Sequence, residues 1–393
     1  MIRTTLFWAH LVIGLVAGLV VAILCVTGAL LAFEKQITDW AERDARALPP
    51  PGATVWLSPE VLIAKAASVD ASKPAAMAWS ADAMIPVRVR LQDGSLVMLN
   101  GYTGDVLGRG APSWRRFFRT TTELHTNLLM KLKGSWIVDV ANVCFVVIIV
   151  SGLYLWWPRH WRWKAMRSSV AIRLRARGKA RDWNWHNAIG FWSLAPLLFI
   201  AASGLVLSFA PADKWWRIFA SSHLLAAPVP PALSVGASSP GFSPPAAPTT
   251  LPPSWNDLMG TVQRQFPGWH TVMSSNPSGL ARQNTVTLAV NLGPPGERTR
   301  AYAVRLDKAS NTIVQVTGWT NEDSGNRARA IARVGHTGEI LGLWGQAAAF
   351  LGCLAGSVLV YTGFALSWRR FFPRRARASA SSSLPAPQLV APL

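Results

Sequence analysis

Acidic residues and cysteines are scarce in this chain of 393 residues, and each shortage excludes a class of protein. Asp and Glu number 19 against 39 Lys and Arg, which gives a formal net charge of +20. A soluble nucleic-acid-binding protein would have more than 15% charged residues and fewer than 50% hydrophobic ones. Cys25, Cys144 and Cys353 all fall within apolar runs, so we expect neither a disulfide framework nor a cysteine metal site.

Long apolar stretches recur along the chain and predict an integral membrane protein. A transmembrane helix needs about 20 apolar residues. We therefore predict four transmembrane helices, near 6–33, 136–158, 186–209 and 343–368. The first stretch is too long for a signal peptide, and no small-residue cleavage site precedes Glu34, so we expect this helix to be retained.

Clusters of basic residues predict the orientation. The segment 159–181 is rich in Lys and Arg, with Asp182 as the first acid after it, and five arginines follow the last span. Cytoplasmic segments carry such an excess of Lys and Arg. We therefore predict a multi-pass membrane protein with both termini in the cytoplasm and two long segments outside, which in a bacterium with an inner membrane is the periplasm. Topology explains the charge, so we expect no nucleic-acid partner.

Each of the two outer segments predicts a small α+β module. Neither contains a catalytic triad, a paired-carboxylate motif or a glycine-rich phosphate loop, so we interpret both as binding or scaffolding modules. A stretch rich in Pro, Ser and Ala, 225–253, predicts a linker before the second module. The first module is predicted as a helix at 58–69 with strands near 76–80, 87–91 and 95–100, and the second as a helix at 254–266 with strands near 271, 285–290, 300–306 and 312–317.

The two halves of the chain align with constant spacing, which predicts a tandem duplication. The matched positions are His10 with His186, Gly14 with Gly190, Gly28 with Gly204, His125 with His336, and Gly134 with Gly345. His10 and His186 lie at the predicted cytoplasmic ends of their spans, and His125 and His336 precede their spans on the periplasmic side. Symmetric pairs of histidines are suited to hold a ligand on a pseudo-twofold axis.

A planar macrocycle with two axial imidazoles, b-type haem, fits these pairs better than a bare metal ion. Zinc needs three or four ligands, and no carboxylate or thiolate repeats beside the histidines. We therefore predict two haems, bound by His10 with His186 and by His125 with His336. Cys-x-x-Cys-His is absent, so attachment would be non-covalent. The alternative is that the four histidines only cap helix ends at the interface.

Glycines near the histidines are predicted to make room for haem, and cations to meet its propionates. The glycines that would make room for haem are Gly14, Gly190, Gly28 and Gly204. The candidate cations are Arg115, Arg116, Arg119, Lys131 and Arg333 outside and Arg3 and Arg181 inside.

His125 would lie on the wrong face of a helix that continued without interruption into the span. We therefore expect a break in the helix near Gly134, and another near Gly345 in the second half.

Other polar residues have weaker patterns. Asp139 lies within a predicted span, where an acidic residue usually has a function. Its side chain could bond to a ligand histidine or form part of a proton path. The alternative is a contact with a helix end. His223 could contact a haem or the outer substrate. We interpret His160 as an interface residue and His270 as structural.

The chain resembles the PepSY-associated transmembrane helix family, bacterial inner-membrane proteins that include ferric siderophore reductases. The outer modules resemble PepSY domains, most specifically at the turn 102–107. The resemblance implies a core of four helices with two haems, and electron delivery to a ferric siderophore in the periplasm. The motifs that carry it are His10-x3-Gly14 with Thr27-Gly28, Leu124-His125 with the segment 151–158, Trp185-His186-x3-Gly190, and His336-Thr337-Gly338-Glu339 with Thr362-Gly363.

The predicted fold class is therefore a helical membrane core with a tandem two-fold repeat and two periplasmic PepSY-like α+β modules. The predicted divisions are a transmembrane helix at 1–34, the first module at 35–113, a periplasmic-side helix and transmembrane helix at 114–158, a basic cytoplasmic loop at 159–185, a transmembrane helix at 186–210, an interfacial segment and linker at 211–253, the second module at 254–326, a second periplasmic-side helix with the last transmembrane helix at 327–369, and a cytoplasmic tail at 370–393.

The functional hypothesis is a haem-dependent ferric-siderophore reductase in contact with membrane lipid. The chain lacks a dinucleotide fingerprint, so the electron donor must be separate: a quinol, a reduced flavin or a flavoprotein. One alternative is a non-enzymatic sensor whose modules bind a peptide or siderophore. Another is a haem relay to a different periplasmic oxidoreductase.

Overall fold

The computed structural model describes residues 1–52, 55–158, 167, 169–224, 253–277, 283–293 and 297–372. His160 and nearly all of the predicted linker at 225–253 lie outside the described residues. The helices are α1 (Ile2–Leu31), α2 (Glu34–Ala41), α3 (Pro59–Val69), α4 (Pro112–Asn127), α5 (Lys131–Trp156), α6 (Gly178–Ser208), α7 (Ala210–Phe219), α8 (Trp255–Gln265), α9 (Ser324–His336) and α10 (Gly342–Phe371). The strands are β1 (Pro74–Ser80), β2 (Val87–Leu91), β3 (Leu96–Leu99), β4 (Val106–Gly108), β5 (Thr271–Ser274), β6 (Thr285–Asn291), β7 (Ala301–Asp307) and β8 (Thr312–Gly318).

Four of the described helices, α1, α5, α6 and α10, are long and apolar enough to cross a membrane. This confirms the prediction of a multi-pass membrane protein. The helix α6 begins at Gly178, earlier than the predicted 186, because its first turns have buried polar partners. Asp182 pairs with Arg181 at 2.8 Å and with Arg369 of α10 at 3.1 Å, and its side chain is fully buried.

The four long helices form a ring. The helix α1 packs against α5 and α10, and α6 packs against the same two helices. The helices α1 and α6 are therefore opposite one another across the bundle. Small and medium side chains fill the interior, including Ala17, Val21 and Cys25, which lets the helices approach closely.

All eight described strands form one antiparallel sheet in the order β4-β3-β2-β1-β5-β6-β7-β8. The sequence predicts two modules, and the structure joins them edge to edge through β1 and β5, where Trp79 lies opposite Val272. Edge strands offer unpaired backbone donors and acceptors, so this pairing needs no side-chain pattern. It leaves β4 and β8 as the outer strands of the sheet.

Helices α3 and α8 supply the side chains that pack on the sheet. Strand β6 alternates buried and exposed residues, with Val286, Leu288 and Val290 in the shared core. Trp79 of β1 packs against Trp255 of α8, with ring centroids 4.6 Å apart. The predicted helices and strands of both modules therefore exist, but their cores are continuous.

Two short helices, α4 and α9, return the chain from the sheet to the bundle. The helix α4 ends at Asn127, and positive φ angles at Leu128, Leu129 and Lys131 separate it from α5. The expected break is therefore present, three residues before Gly134. A Cβ atom at Gly134 would overlap the backbone carbonyl of Asn127, and one at Gly345 would overlap that of Gly338 at the second break.

Acidic side chains attach both short helices to their surroundings. The side chain of Glu42, which follows α2 and is fully buried, accepts a bond of 2.6 Å from Arg115 of α4. Asp213 of α7 pairs with Arg329 of α9 at 2.7 Å. These two ion pairs fix the helices that carry His125 and His336.

Candidate functional site

The structure brings the four candidate histidines together as two pairs, one at each end of the bundle. The ring centroids of His10 and His186 are 6.4 Å apart, and those of His125 and His336 are 6.3 Å apart. We call the first the termini-side pair and the second the sheet-side pair. The two pairs are far apart along the bundle. Thr27, which contacts the sheet-side pair, lies 17 residues after His10 on the same helix, a distance of about 25 Å.

The two pairs are carried by different elements. His10 lies on α1 and His186 on α6, so the termini-side rings face each other across the diagonal of the bundle. His125 lies in the last turn of α4, and His336 is the last residue of α9. The breaks after these short helices allow the sheet-side histidines to turn toward the bundle.

A buried hydroxyl contacts one ring nitrogen of every histidine in these pairs. The residues concerned are Ser151, Thr362, Thr27 and Ser203, all buried within the long helices. The distances from Nδ1 are 2.9 Å for His10 to Ser151, 3.0 Å for His186 to Thr362, 2.8 Å for His125 to Thr27, and 3.2 Å for His336 to Ser203.

A glycine follows each of these hydroxyl residues and lies beneath the same ring. A Cβ atom at Gly152 would lie 3.2 Å from Cε1 of His10, and one at Gly204 would lie 3.2 Å from Cε1 of His336. The corresponding distances are 3.5 Å for Gly28 to His125 and 3.6 Å for Gly363 to His186. We call the dipeptides Thr27-Gly28, Ser151-Gly152, Ser203-Gly204 and Thr362-Gly363 the histidine seats.

The other two candidate glycines contact no histidine ring. A Cβ atom at Gly14 would meet nothing within 4 Å, and one at Gly190 would meet Leu359 at 3.6 Å. Gly28 and Gly204 thus belong to the sheet-side pair, whereas Gly14 and Gly190 lie one turn from the termini-side histidines. The open space beside Gly14 is compatible with the predicted role in packing.

Burial keeps the sheet-side imidazoles neutral. Desolvation, with a smaller contribution from the neighbouring His336 ring, lowers the pKa of His125 to about 4. Desolvation also lowers the pKa of His336. A neutral imidazole has a free lone pair on one nitrogen, which is the form that binds a metal.

The sheet-side pair has different neighbours in the two halves. The Nδ2 atom of Asn142 donates to the carbonyl of Ala201 at 3.3 Å and lies 3.0 Å from the position of a Cβ atom at Gly204. At the matched place beside Gly28, the neighbour is Sγ of Cys353, at 3.1 Å. His336 therefore has a polar amide close to its seat, and His125 has a thiol.

Asp139 and His223, the two accessory candidates, lie in distinct surroundings. Oδ1 of Asp139 is buried without a hydrogen-bond partner among the described residues, one helical turn from Asn142. His223 is exposed, stacks on Phe219 at 4.8 Å and contacts the carbonyl of that residue at 3.0 Å. These contacts of His223 are local to its own helical segment. His270 is exposed and lies immediately before β5.

Several of the candidate cations are already engaged. Arg115 pairs with Glu42, Arg181 pairs with Asp182, and Arg3 donates to the carbonyl of Leu155 at 2.5 Å. Arg119 donates to the carbonyl of Asp93. In the described part of the chain, Arg116, Lys131 and Arg333 are exposed and have no ion-pair partner.

No group of three or more His, Cys, Asp or Glu side chains that could hold a bare metal ion occurs among the described residues. The histidine pairs thus offer two nitrogen ligands each.

The sequence model of one protein family, the PepSY-associated TM region, matches residues 7–370. The chain belongs to this family. No curated protein matches it.

Residue spacing alone does not identify the seat hydroxyls as contacts of the histidines. Thr27, Ser151 and Thr362 are part of motifs that resemble the PepSY-associated family, but Ser203 is not. The available signal is a Ser-Gly or Thr-Gly dipeptide at the matched position of all four spans.

Proposed function

We propose that this member of the PepSY-associated TM family is a dihaem b-type reductase of the bacterial inner membrane. In this proposal it carries electrons from a cytoplasmic or quinol donor to a ferric siderophore in the periplasm. The two halves would be copies of one unit, with PepSY-like modules fused into the sheet. The segment 159–181 and the residues after the last span are rich in Lys and Arg, which favours the cytoplasm for both.

The spacing of the two rings in each pair is the observation that carries the proposal. A bond between a metal and an imidazole nitrogen is about 2 Å long, and a ring nitrogen lies roughly 1.1 Å from the ring centroid. One metal between two opposed rings therefore requires centroids roughly 6.2 Å apart. The observed separations, 6.4 and 6.3 Å, agree with this requirement at both ends of the bundle.

Haem suits these pairs better than a bare ion. Two nitrogens are too few for a zinc site, and the described residues supply no third ligand. The surrounding helices are apolar, and each seat glycine leaves room for its imidazole. When bound, haem would supply an iron centre that accepts and donates one electron while both imidazoles stay attached.

The residues of the chain then have separate tasks. His10 and His186 would hold one haem, and His125 and His336 the other. Arg116, Lys131 and Arg333 lie at the sheet end and could bind haem propionates or an anionic ferric complex. The apolar spans exclude water between the two ends.

Reduction of the substrate would release its iron. One electron converts bound Fe(III) to Fe(II), and the hard oxygen ligands of a siderophore hold Fe(II) far less tightly. The donor loses the same electron at the other side of the membrane. The chain lacks a dinucleotide fingerprint, so we expect a separate donor.

An absorption spectrum of the purified protein tests the haem assignment. We expect a Soret band that shifts on reduction with dithionite, and two haems per chain. Replacing His10 and His186 by Ala should remove one haem, and replacing His125 and His336 the other. His270→Ala is the matched control, since His270 is exposed and lies immediately before β5. A colourless wild-type protein, or full haem content in both double variants, would contradict the proposal.

Proteoliposomes test the substrate. Protein that has been reduced should convert a ferric hydroxamate complex to Fe(II), detected with a ferrous chelator. A haem protein that leaves this complex unreduced would instead support the relay to another oxidoreductase. A colourless protein would support the sensor.

A further inference from the structure

Each seat hydroxyl donates its only proton to a backbone carbonyl of its own helix. Donation to the carbonyl four residues earlier occurs at 2.6 Å for Thr27, 2.7 Å for Ser151, 2.7 Å for Ser203 and 2.9 Å for Thr362. A hydroxyl has one proton and two lone pairs. In its contact with the histidine, the hydroxyl oxygen can therefore act only as a hydrogen-bond acceptor.

The contact consequently fixes the position of the proton on each ring. Nδ1 must carry the proton that the hydroxyl accepts, and in a neutral imidazole Nε2 is then the unprotonated nitrogen. For His336 a second contact gives the same answer, because Nδ1 lies 3.0 Å from the carbonyl of Ile200. A carbonyl oxygen cannot donate, so this Nδ1 must donate to it.

We propose that the four seat hydroxyls are positioning residues for the haem ligands. By accepting from Nδ1, each one selects the tautomer whose Nε2 lone pair is free for iron, and it sets the plane of the ring. The seat glycine beneath the ring leaves the space in which that plane can lie. This inference rests on the proposed function, because it concerns the ligands of the haems.

The two pairs differ in the relative orientation of their rings. The ring planes of His10 and His186 are 89° apart, whereas those of His125 and His336 are 52° apart. In low-spin ferric haem with two imidazole ligands, perpendicular ring planes give a strongly anisotropic electron paramagnetic resonance signal with a large maximal g value. Planes closer to parallel give a more rhombic signal. The termini-side pair should therefore give the larger maximal g value of two distinct signals.

Removal of the hydroxyls from one pair of seats tests the assignment. The termini-side variant combines Ser151→Ala with Thr362→Val, and the sheet-side variant combines Thr27→Val with Ser203→Ala. Loss of an outer-shell partner of a metal ligand lowers affinity by about 10- to 100-fold. We expect this loss for the haem of the altered pair only, together with a changed signal and midpoint potential for that haem.

Two sets of controls separate positioning from packing. Ser193→Ala removes a buried hydroxyl from α6 that bonds to the carbonyl of Ile189 at 2.7 Å and contacts no candidate ligand. It should leave both signals unchanged. The swaps Thr27→Ser and Ser151→Thr keep an acceptor oxygen and should retain the wild-type signals and potentials. If a variant that lacks the hydroxyl does not fold, these swaps still test whether the acceptor oxygen positions the ring.

The possible failures are distinguishable. A wild-type protein without haem would overturn both this inference and the proposed function. A wild-type protein with two haems, whose hydroxyl variants behave like Ser193→Ala, would overturn this inference alone. The same conclusion would follow if the swaps between Ser and Thr altered the signals as much as the loss of the hydroxyl does.

Discussion

Every histidine of the termini-side and sheet-side pairs lies on a seat of the same kind, but different elements support the two pairs. Spanning helices carry both His10 and His186, and their seats lie on the neighbouring spans α5 and α10. The sheet-side histidines lie instead on the short helices α4 and α9, with seats on α1 and α6. The bundle alone therefore positions one pair, whereas the other depends on the helix breaks and on attachment to the sheet.

This difference makes the sheet-side pair the more vulnerable one to changes outside the bundle. We expect damage at the breaks or at the ion pairs of α4 and α9 to affect that pair first. Changes at the seats should affect whichever pair they contact. We expect the effects to decrease from the helix breaks, through the ion pairs and the seats, to the neighbours of the seats. Each variant is measured as the purified protein in detergent, and every expectation about haem rests on the proposed function.

Closing the space at the helix breaks should have the largest effect. Alanine at Gly134 or Gly345 would place a Cβ atom against the carbonyl of Asn127 or Gly338, and backbone cannot yield as a side chain can. We expect about 3 kcal/mol of destabilisation and loss of the sheet-side haem while the termini-side haem stays bound.

Thermal unfolding and the haem content of the Gly134→Ala protein check this prediction. Gly260→Ala is the control, since its new Cβ atom would meet only the flexible end of Arg264, at 3.4 Å. Equal loss of both haems would show that the two pairs do not have separate supports.

Removal of the buried acid that holds α4 should have the next largest effect. Glu42→Ala leaves Arg115 without the carboxylate to which it bonds at 2.6 Å. Breaking a buried pair costs about 3–5 kcal/mol, but Arg115 is partly exposed, so we expect about 1–3 kcal/mol. The sheet-side haem should bind more weakly.

The control for this variant is Asp44→Ala, because Asp44 is almost fully exposed and pairs with Arg43 at 3.7 Å. Its effect on the free energy of unfolding should stay within about 0.5 kcal/mol. Similar losses in the two variants would argue against a role of Glu42 in positioning α4.

A matched pair of seat glycines gives a smaller but sharper test. Gly152→Ala would bring a Cβ atom to 3.2 Å from the His10 ring, whereas Gly363→Ala would leave 3.6 Å to the His186 ring. Alanine also favours a helix by about 1 kcal/mol. We expect Gly152→Ala to weaken haem binding at the termini-side pair and Gly363→Ala to be neutral or slightly stabilising. The reverse order, measured by haem titration, would contradict the geometry.

The smallest expected effect concerns the two neighbours of the sheet-side seats. Asn142→Leu removes a bond of 3.3 Å to the carbonyl of Ala201, which should cost about 0.5–1.5 kcal/mol. Cys353→Ala, at the matched place, removes no such bond and should cost less. We expect only Asn142→Leu to shift the sheet-side midpoint potential, and redox titration checks this.

Much of the helical core could be predicted from the sequence. Spanning helices are specified by local composition, so the apolar runs predict four of them, and the structure has four candidate spans among its described residues. The start of α6 was predicted too late, because the burial of Asp182 depends on Arg369 from a distant part of the chain. Constant spacing between the halves also indicated which histidines pair.

Other features required knowledge of which elements are neighbours. The reciprocal bonds between Asn256 and the backbone of Trp56 join segments far apart in sequence, as does the pairing of β1 with β5. Backbone groups carry the strand pairing, and these leave no mark in the sequence. The seat hydroxyls were missed for a similar reason: Ser203 reads as an ordinary small residue of a span until His336 is placed beside it.

Apolar length, strand alternation and residue spacing are local properties, so they suffice to predict the four spans, the helices and strands of the outer segments, and the matched histidines. Contacts across the fold decide instead that the outer segments share one sheet, that α4 and α9 turn their histidines into the bundle, and that a hydroxyl lies at each Nδ1. These contacts join residues far apart in the chain, such as Met77 with Ser274 and His186 with Thr362, and their geometry exists only once the chain has folded.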